Sequence, residues 1–106
     1  MTIRPVPVAA EKLARFCDVF CEEGVFTVEQ SRRVLTAARE HGMEPKLHAA
    51  ELHPFGAAEL AAELGAASAD HLEHASDAGI EALARAGTCG VLLPAATFFL
   101  KMDRRP

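Results

Sequence analysis

Apolar positions along this chain change their period several times, and each change marks the edge of an element. Between Val8 and Phe16, Leu13 and Phe16 are apolar among Glu11, Lys12 and Arg15, which predicts a helix over 8–16. Cys17-Asp18-Val19-Phe20-Cys21 predicts a strand, ending in the acidic pair Glu22-Glu23 and Gly24. Thr27-Val28-Glu29-Gln30 fits a capping box, with Thr27 capping a helix and Gln30 reaching back to it. That helix runs through Val34, Leu35 and Ala38; Gly42 is placed to end it, and Pro45 marks that it has stopped.

Lys46 to Leu52 predicts a second strand and its exit. A helix opening at Pro54 or its neighbour carries Leu60, Ala61 and Leu64 and closes at Gly65. Ser68 to His74 predicts a third strand and exit, and Ser76 caps a helix in which Ile80, Leu83 and Ala84 share a face. Gly87 ends that helix. Cys89-Gly90-Val91-Leu92-Leu93 predicts a fourth strand, stopped by Pro94, and Ala95 to Leu100 leads into a charged terminus.

The terminating glycines Gly42, Gly65 and Gly87 are 23 and 22 residues apart. A repeat of that length is the βα unit of a parallel α/β fold. Right-handed crossovers bring all strand exits to one edge of the sheet. That edge gathers His48, Glu51, His71, His74 and the Glu22-Glu23 pair, and it is where sites lie in barrels and in open doubly wound sheets. About four strands, against the eight of a complete barrel of roughly 250 residues, make half a barrel or a small open sheet. Length does not separate the two.

Composition narrows the functional classes. The 106 residues fit one domain, over 1–106, with 101–106 expected as a flexible tail. A net charge of −4 and the absence of a Lys/Arg block argue against a nucleic-acid partner and an anionic membrane surface. No run approaches the roughly 18 apolar residues of a membrane span. Residues 1–7 form no signal-peptide core, so a cytoplasmic protein is expected. Three cysteines, Cys17, Cys21 and Cys89, are an odd count that reads as reduced, buried thiols. The C-x3-C spacing of Cys17 and Cys21 is a weak metal signal beside that core reading.

His48 is the leading ligand candidate, since neutral imidazole suits zinc or ferrous iron. Glu51 is close enough to bend back as a general base towards a bound water. His71, one strand over, could add a ligand or stabilise negative charge on a substrate oxygen. Spacing alone leaves all three open as ordinary polar residues at strand exits. His53 reads as a loop residue, His74 as lining the same edge or capping a turn, and Glu22-Glu23 as a solvated loop in preference to a substrate-binding pair. His41 belongs at a helix C-terminus, where the dipole favours a cation, and has no functional role. Lys46 begins a strand, far from the exits.

The wording of four stretches resembles imidazolonepropionases, which belong to the metal-dependent amidohydrolases. These are Asp18-Val19-Phe20-Cys21-Glu22-Glu23-Gly24-Val25-Phe26, Lys46-Leu47-His48-Ala49, Ser68-Ala69-Asp70-His71-Leu72-Glu73-His74 and Leu92-Leu93-Pro94-Ala95-Ala96-Thr97-Phe98-Phe99-Leu100. The resemblance runs from about Val8 to Leu100 and implies a partial (β/α)8 barrel, corresponding to about strands 4–7 of the complete one. It implies hydrolysis of 4-imidazolone-5-propanoate to N-formimidoyl-L-glutamate in histidine degradation, with zinc or iron. By resemblance His48 matches the fifth-strand metal ligand, Glu51 the carboxylate that activates water, and His71 the histidine that helps to polarise the substrate carbonyl.

The chain also departs from that pattern. Ala50 stands where the family usually has Asp, and Ala95 where it usually has Gly. The His-x-His metal pair of the first strand, the eighth-strand Asp and the substrate-binding Arg, Tyr and His have no counterpart among the 106 residues. One ligand does not hold a catalytic zinc, which normally needs three. The chain alone is therefore expected to be inactive, with two open sheet edges that invite self-association. The alternatives are a non-catalytic half-barrel that assembles with itself or a partner, a truncated reading frame without selected function, and a small metal-binding protein using His48, His53, His71 and His74.

Overall fold

A computed structural model describes residues 6–106. The opening residues 1–5, read above as part of a segment without a signal-peptide core, lie outside the described residues. The chain folds as α1 (Val6–Ala10), β1 (Phe16–Cys21), α2 (Val28–Glu40), β2 (Glu44–Ala49), α3 (Ala57–Glu63), β3 (Ser68–His71), α4 (Asp77–Ala86), β4 (Cys89–Val91) and α5 (Pro94–Phe99).

Local signals start and stop these elements. Thr27 Oγ1 accepts from the Gln30 amide while the Gln30 side chain accepts from the Thr27 amide, so the capping box forms in full. Ser76 caps α4 by accepting from the Gly79 amide, and Gly87 closes it at φ 71°. The first helix is shorter than its predicted 8–16. Lys12 turns left-handed at φ 55°, and the amides of Lys12 and Leu13 bond back to Ala9 and Val8, a Schellman ending. Phe16 then enters the strand rather than the helix. The third helix begins at Ala57, after Gly56, and not at Pro54.

The four strands are all parallel and lie in the order β1-β2-β3-β4. Consecutive order with right-handed crossovers places every connecting helix on the same face. A doubly wound sheet would reverse its strand order and carry helices on both faces. Burial agrees: Val19, Cys21, Leu47, Ala49 and Ala69 join Leu35, Leu60, Ala61 and Leu83 of the helices in one core. On the other face, Phe16, Asp18, Phe20, Lys46, His48, Asp70 and Val91 are half-buried or exposed. One-sided helices over a consecutive parallel sheet are the architecture of half an α/β barrel, with the uncovered face corresponding to the barrel's interior.

Helix phase and strand position correct two sequence expectations. Of the expected face Ile80, Leu83 and Ala84, only Leu83 is buried; Ile80 is 53% exposed and Ala84 is exposed, and Gly79 shares the buried side of α4 with Leu83. A Cβ on Gly79 would stand 3.1 Å from the Cβ of Ala58. The glycine thus allows α3 and α4 to pack closely. Cys89, expected in the core, is exposed, because β4 is an edge strand whose three residues are all open to solvent. Cys21 is buried and Cys17 half-buried, as expected of core thiols.

Candidate functional site

Strand register decides which exit residues can meet. Phe20 pairs with His48 across β1–β2, and His48 with Asp70 across β2–β3, so the His48 side chain stands among those of both neighbours. Its ring stacks on Phe20, with centroids 5.3 Å apart and planes 22° apart. Nδ1 lies 3.2 Å from Asp18 Oδ1. A carboxylate on one imidazole nitrogen orients the ring and favours the tautomer whose other nitrogen has a free lone pair. Nε2 makes no hydrogen bond among the described residues, which suits a ligand position.

His71 ends β3 in a left-handed conformation, φ 81°, and Leu72 follows at φ 70°. This turn brings the His71 ring to 5.2 Å from that of His48, tilted by 31°. Beyond β2, Ala50 is also left-handed at φ 54°, and Glu51 follows it. Glu51 Oε1 comes to 3.5 Å from His71 Nδ1, with both side chains largely buried; this is proximity and not a hydrogen bond, and Nδ1 has no hydrogen-bond partner among the described residues. Three non-glycine residues in sparsely populated backbone regions cluster at these two exits, a pattern common where surrounding structure holds a site in place.

The structure thus brings His48, His71 and Glu51 together at one edge. His53 is the expected loop residue, and its Nδ1 lies 3.0 Å from Glu22 Oε2. His74 joins by its backbone, its amide donating to the Ala50 carbonyl at 2.8 Å. His41 is the C-cap of α2. Lys46 is not remote: it lies on the uncovered face two residues before His48, with Nζ 3.7 Å from Asp70 Oδ2.

The Glu22-Glu23 pair departs from the solvated loop expected of it. Glu23 is exposed, but Glu22 is 1% exposed and accepts from the amides of Leu52 at 2.7 Å and Glu23 at 3.0 Å. Glu22 stands at the edge expected of it but is buried and bonded there, whereas Asp18 carries a role that the sequence did not assign it. Asp18 had one visible signal: it alternates with Phe16 and Phe20 on the same face as the second-strand histidine.

No protein-family model matches the chain. Curated proteins do. The chain is 67% identical over 94 residues to an imidazolonepropionase of Bacteroides fragilis, covering 89% of this chain and 22% of that protein. The chain is similar to a segment of imidazolonepropionase. The imidazolonepropionase of Clostridium tetani is 64% identical over 94 residues, again 89% of this chain and 22% of its own length. That of Halobacterium salinarum is 63% identical over 95 residues, 90% of this chain and 23% of its own. The chain therefore spans about a fifth of the length of the imidazolonepropionases it matches.

His48 fits one position in a metal's ligand set. Among the described residues no group of three His, Cys, Asp or Glu side chains is placed to hold an ion. No helix among them is long and apolar enough to cross a membrane.

Proposed function

We propose that this chain contributes part of an imidazolonepropionase active site: the water-activating carboxylate, an electrostatic partner for the substrate and one metal ligand. The observation that carries this reading is the contact of Glu51 Oε1 with His71 Nδ1 at 3.5 Å, beside the His48 ring. A carboxylate next to an imidazole in a largely buried setting is suited to hydrolysing a cyclic amide. Glu51 takes a proton from the attacking water as the oxygen adds to the ring carbonyl of 4-imidazolone-5-propanoate. His71 donates a hydrogen bond to the carbonyl oxygen as negative charge develops there. The ring C–N bond then breaks, the nitrogen leaves with a proton returned through Glu51, and the product is N-formimidoyl-L-glutamate. A zinc or iron ion held by His48 and by ligands from beyond these residues would supply Lewis acidity at the same oxygen.

The test joins this chain to the flanking segments of the Bacteroides fragilis relative. The chimera, supplied with zinc or iron, is expected to consume imidazolone propanoate, and the 106-residue chain alone is not. A chimera that stays equally active with Glu51→Gln would overturn the assignment.

A second reading has its own observation. All three residues of β4 are exposed, and Phe98 and Phe99 beyond it are 86% and 82% exposed. An open parallel edge beside exposed aromatic side chains favours self-association of the chain. A single monomeric species in sizing chromatography would count against it.

A further inference from the structure

We propose that Glu22 is a positioning residue for Glu51, holding from the neighbouring strand the backbone turn that presents it; its bearing on catalysis rests on the hydrolase reading above. Glu51 sits in a turn with an anchor on each side. From the β3 side, the His74 amide donates to the Ala50 carbonyl at 2.8 Å, and the Leu72 amide to the Ala49 carbonyl at 3.0 Å. From the β1 side, Glu22 Oε1 accepts from the amide of Leu52, the residue directly after Glu51, at 2.7 Å. Glu22 Oε2 reaches the next residue, His53, at Nδ1, 3.0 Å away.

A buried carboxylate is costly unless hydrogen bonds satisfy it. Here both oxygens are used, and two of the three contacts cross from residue 22 to residues 52 and 53. Glu22 is held in turn by its own loop, its amide donating to the Phe26 carbonyl at 3.0 Å and its carbonyl accepting from the Val25 amide at 3.0 Å. The 2.7 Å bond from the Leu52 amide to the Glu22 carboxylate is charge-assisted, among the stronger members of its class. The left-handed Ala50 shows why an anchor is needed, because an unconstrained alanine would leave that conformation and carry Glu51 away from His71.

The experiment uses the isotopically labelled 106-residue chain at one fixed pH. Glu51→Gln first identifies the part of the His71 imidazole signal that depends on Glu51. Glu22→Ala is then expected to speed exchange of the Leu52 amide by roughly tenfold or more, the loss of a bond to a charged acceptor. It is also expected to move the His71 signal towards its Glu51→Gln position while the His48 signal stays. Faster Leu52 exchange with an unmoved His71 would make Glu22 a structural clamp only and overturn the proposal. So would an unchanged Leu52, or a wild-type Leu52 that exchanges as fast as in an unfolded peptide.

If Glu22→Ala does not fold, Glu22→Gln carries the same test. It keeps an oxygen for the Leu52 amide and loses the acceptor facing His53, so a smaller His71 shift in the same direction is expected. Its absence overturns the proposal. Neither readout involves turnover, so an inactive chimera would sink the hydrolase reading without touching this one.

Discussion

Glu51 and His71 lie 3.5 Å apart, oxygen to nitrogen, although they leave different strands and are separated by a whole βα unit. Two left-handed turns, at Ala50 and at His71, aim them at each other. If this pair does the chemistry, loss of either member should appear in kcat. In the chimera, Glu51→Gln should lower kcat by roughly a hundred- to ten-thousand-fold, the usual worth of a positioned base. His71→Ala should cost roughly a hundred- to a thousand-fold in kcat, as for loss of one oxyanion donor. Steady-state kinetics of both variants checks this, and a change confined to KM would exclude both roles.

Ala50 is buried and left-handed, a conformation that costs a residue with a Cβ about 1–2 kcal/mol. Ala50→Gly should therefore stabilise the chain, by about 1 kcal/mol after the added flexibility of the unfolded glycine. Thermal unfolding should shift upward by roughly 4–8 °C per kcal/mol in a domain of this size. Ala50→Val, branched at the same φ, should shift it downward.

Gly79 predicts the opposite sign. Its missing Cβ leaves room for Ala58 of the facing helix and for the Glu59 carboxylate, which accepts from the Ser76 hydroxyl at 3.0 Å. Gly79→Val should push α3 and α4 apart and cost about 1–3 kcal/mol by overpacking. Urea unfolding would show a lowered midpoint with an unchanged slope.

Glu73 is 2% exposed, and its Oε1 accepts from the Thr97 hydroxyl at 2.7 Å. Its other oxygen takes no hydrogen bond among the described residues. Thr97→Val keeps the shape but leaves the carboxylate without this donor, so it should destabilise the docking of α5 by about 1.5–3 kcal/mol. Hydrogen exchange should then quicken in α5 before it does in β2.

The three thiols should react in the order of their exposure, Cys89 first, Cys17 next and Cys21 only on unfolding. Burial pushes the thiols of Cys17 and Cys21 above their ordinary value of 9.0, with Asp18 adding to the effect at Cys17. Fewer thiolates at a given pH means slower alkylation. The linkage has a definite sign: above pH 9.0 the unfolded thiols lose protons that the folded chain retains, so stability falls as pH rises through that range. Denaturation midpoints at pH 7 and pH 10, compared with those of a Cys17→Ser/Cys21→Ala variant, would isolate the contribution.

The βα rhythm is legible in the sequence because its signals are local. A capping Thr or Ser, a helix-stopping Gly and a short apolar run each act within a few residues, and together they place every strand exit on one edge. Side-chain neighbours across strands are not local. Asp18 meets His48 only once the register joins residues 30 positions apart, and a single strand does not display its register. Glu22 is harder still: two acids before a glycine have the composition of a solvated turn, and only the arrival of Leu52 and His53 buries one of them. Ile80 and Cys89 go astray for a related reason. How wide a stripe a helix buries, and whether a strand lies at an edge, depend on what packs beside them.

The consecutive strand order has a consequence for how this chain folds and recombines. Each βα unit rests chiefly on the units next to it in sequence, so the sheet can grow one unit at a time, and each step closes no loop longer than a single βα crossover. Such a body resembles a stack more than a knot. The two rims are not equivalent: a change at β4 leaves the bonds around Glu51 and His71 in place, whereas the β1 rim carries Asp18 and Glu22 and so is part of the geometry that β2 and β3 present.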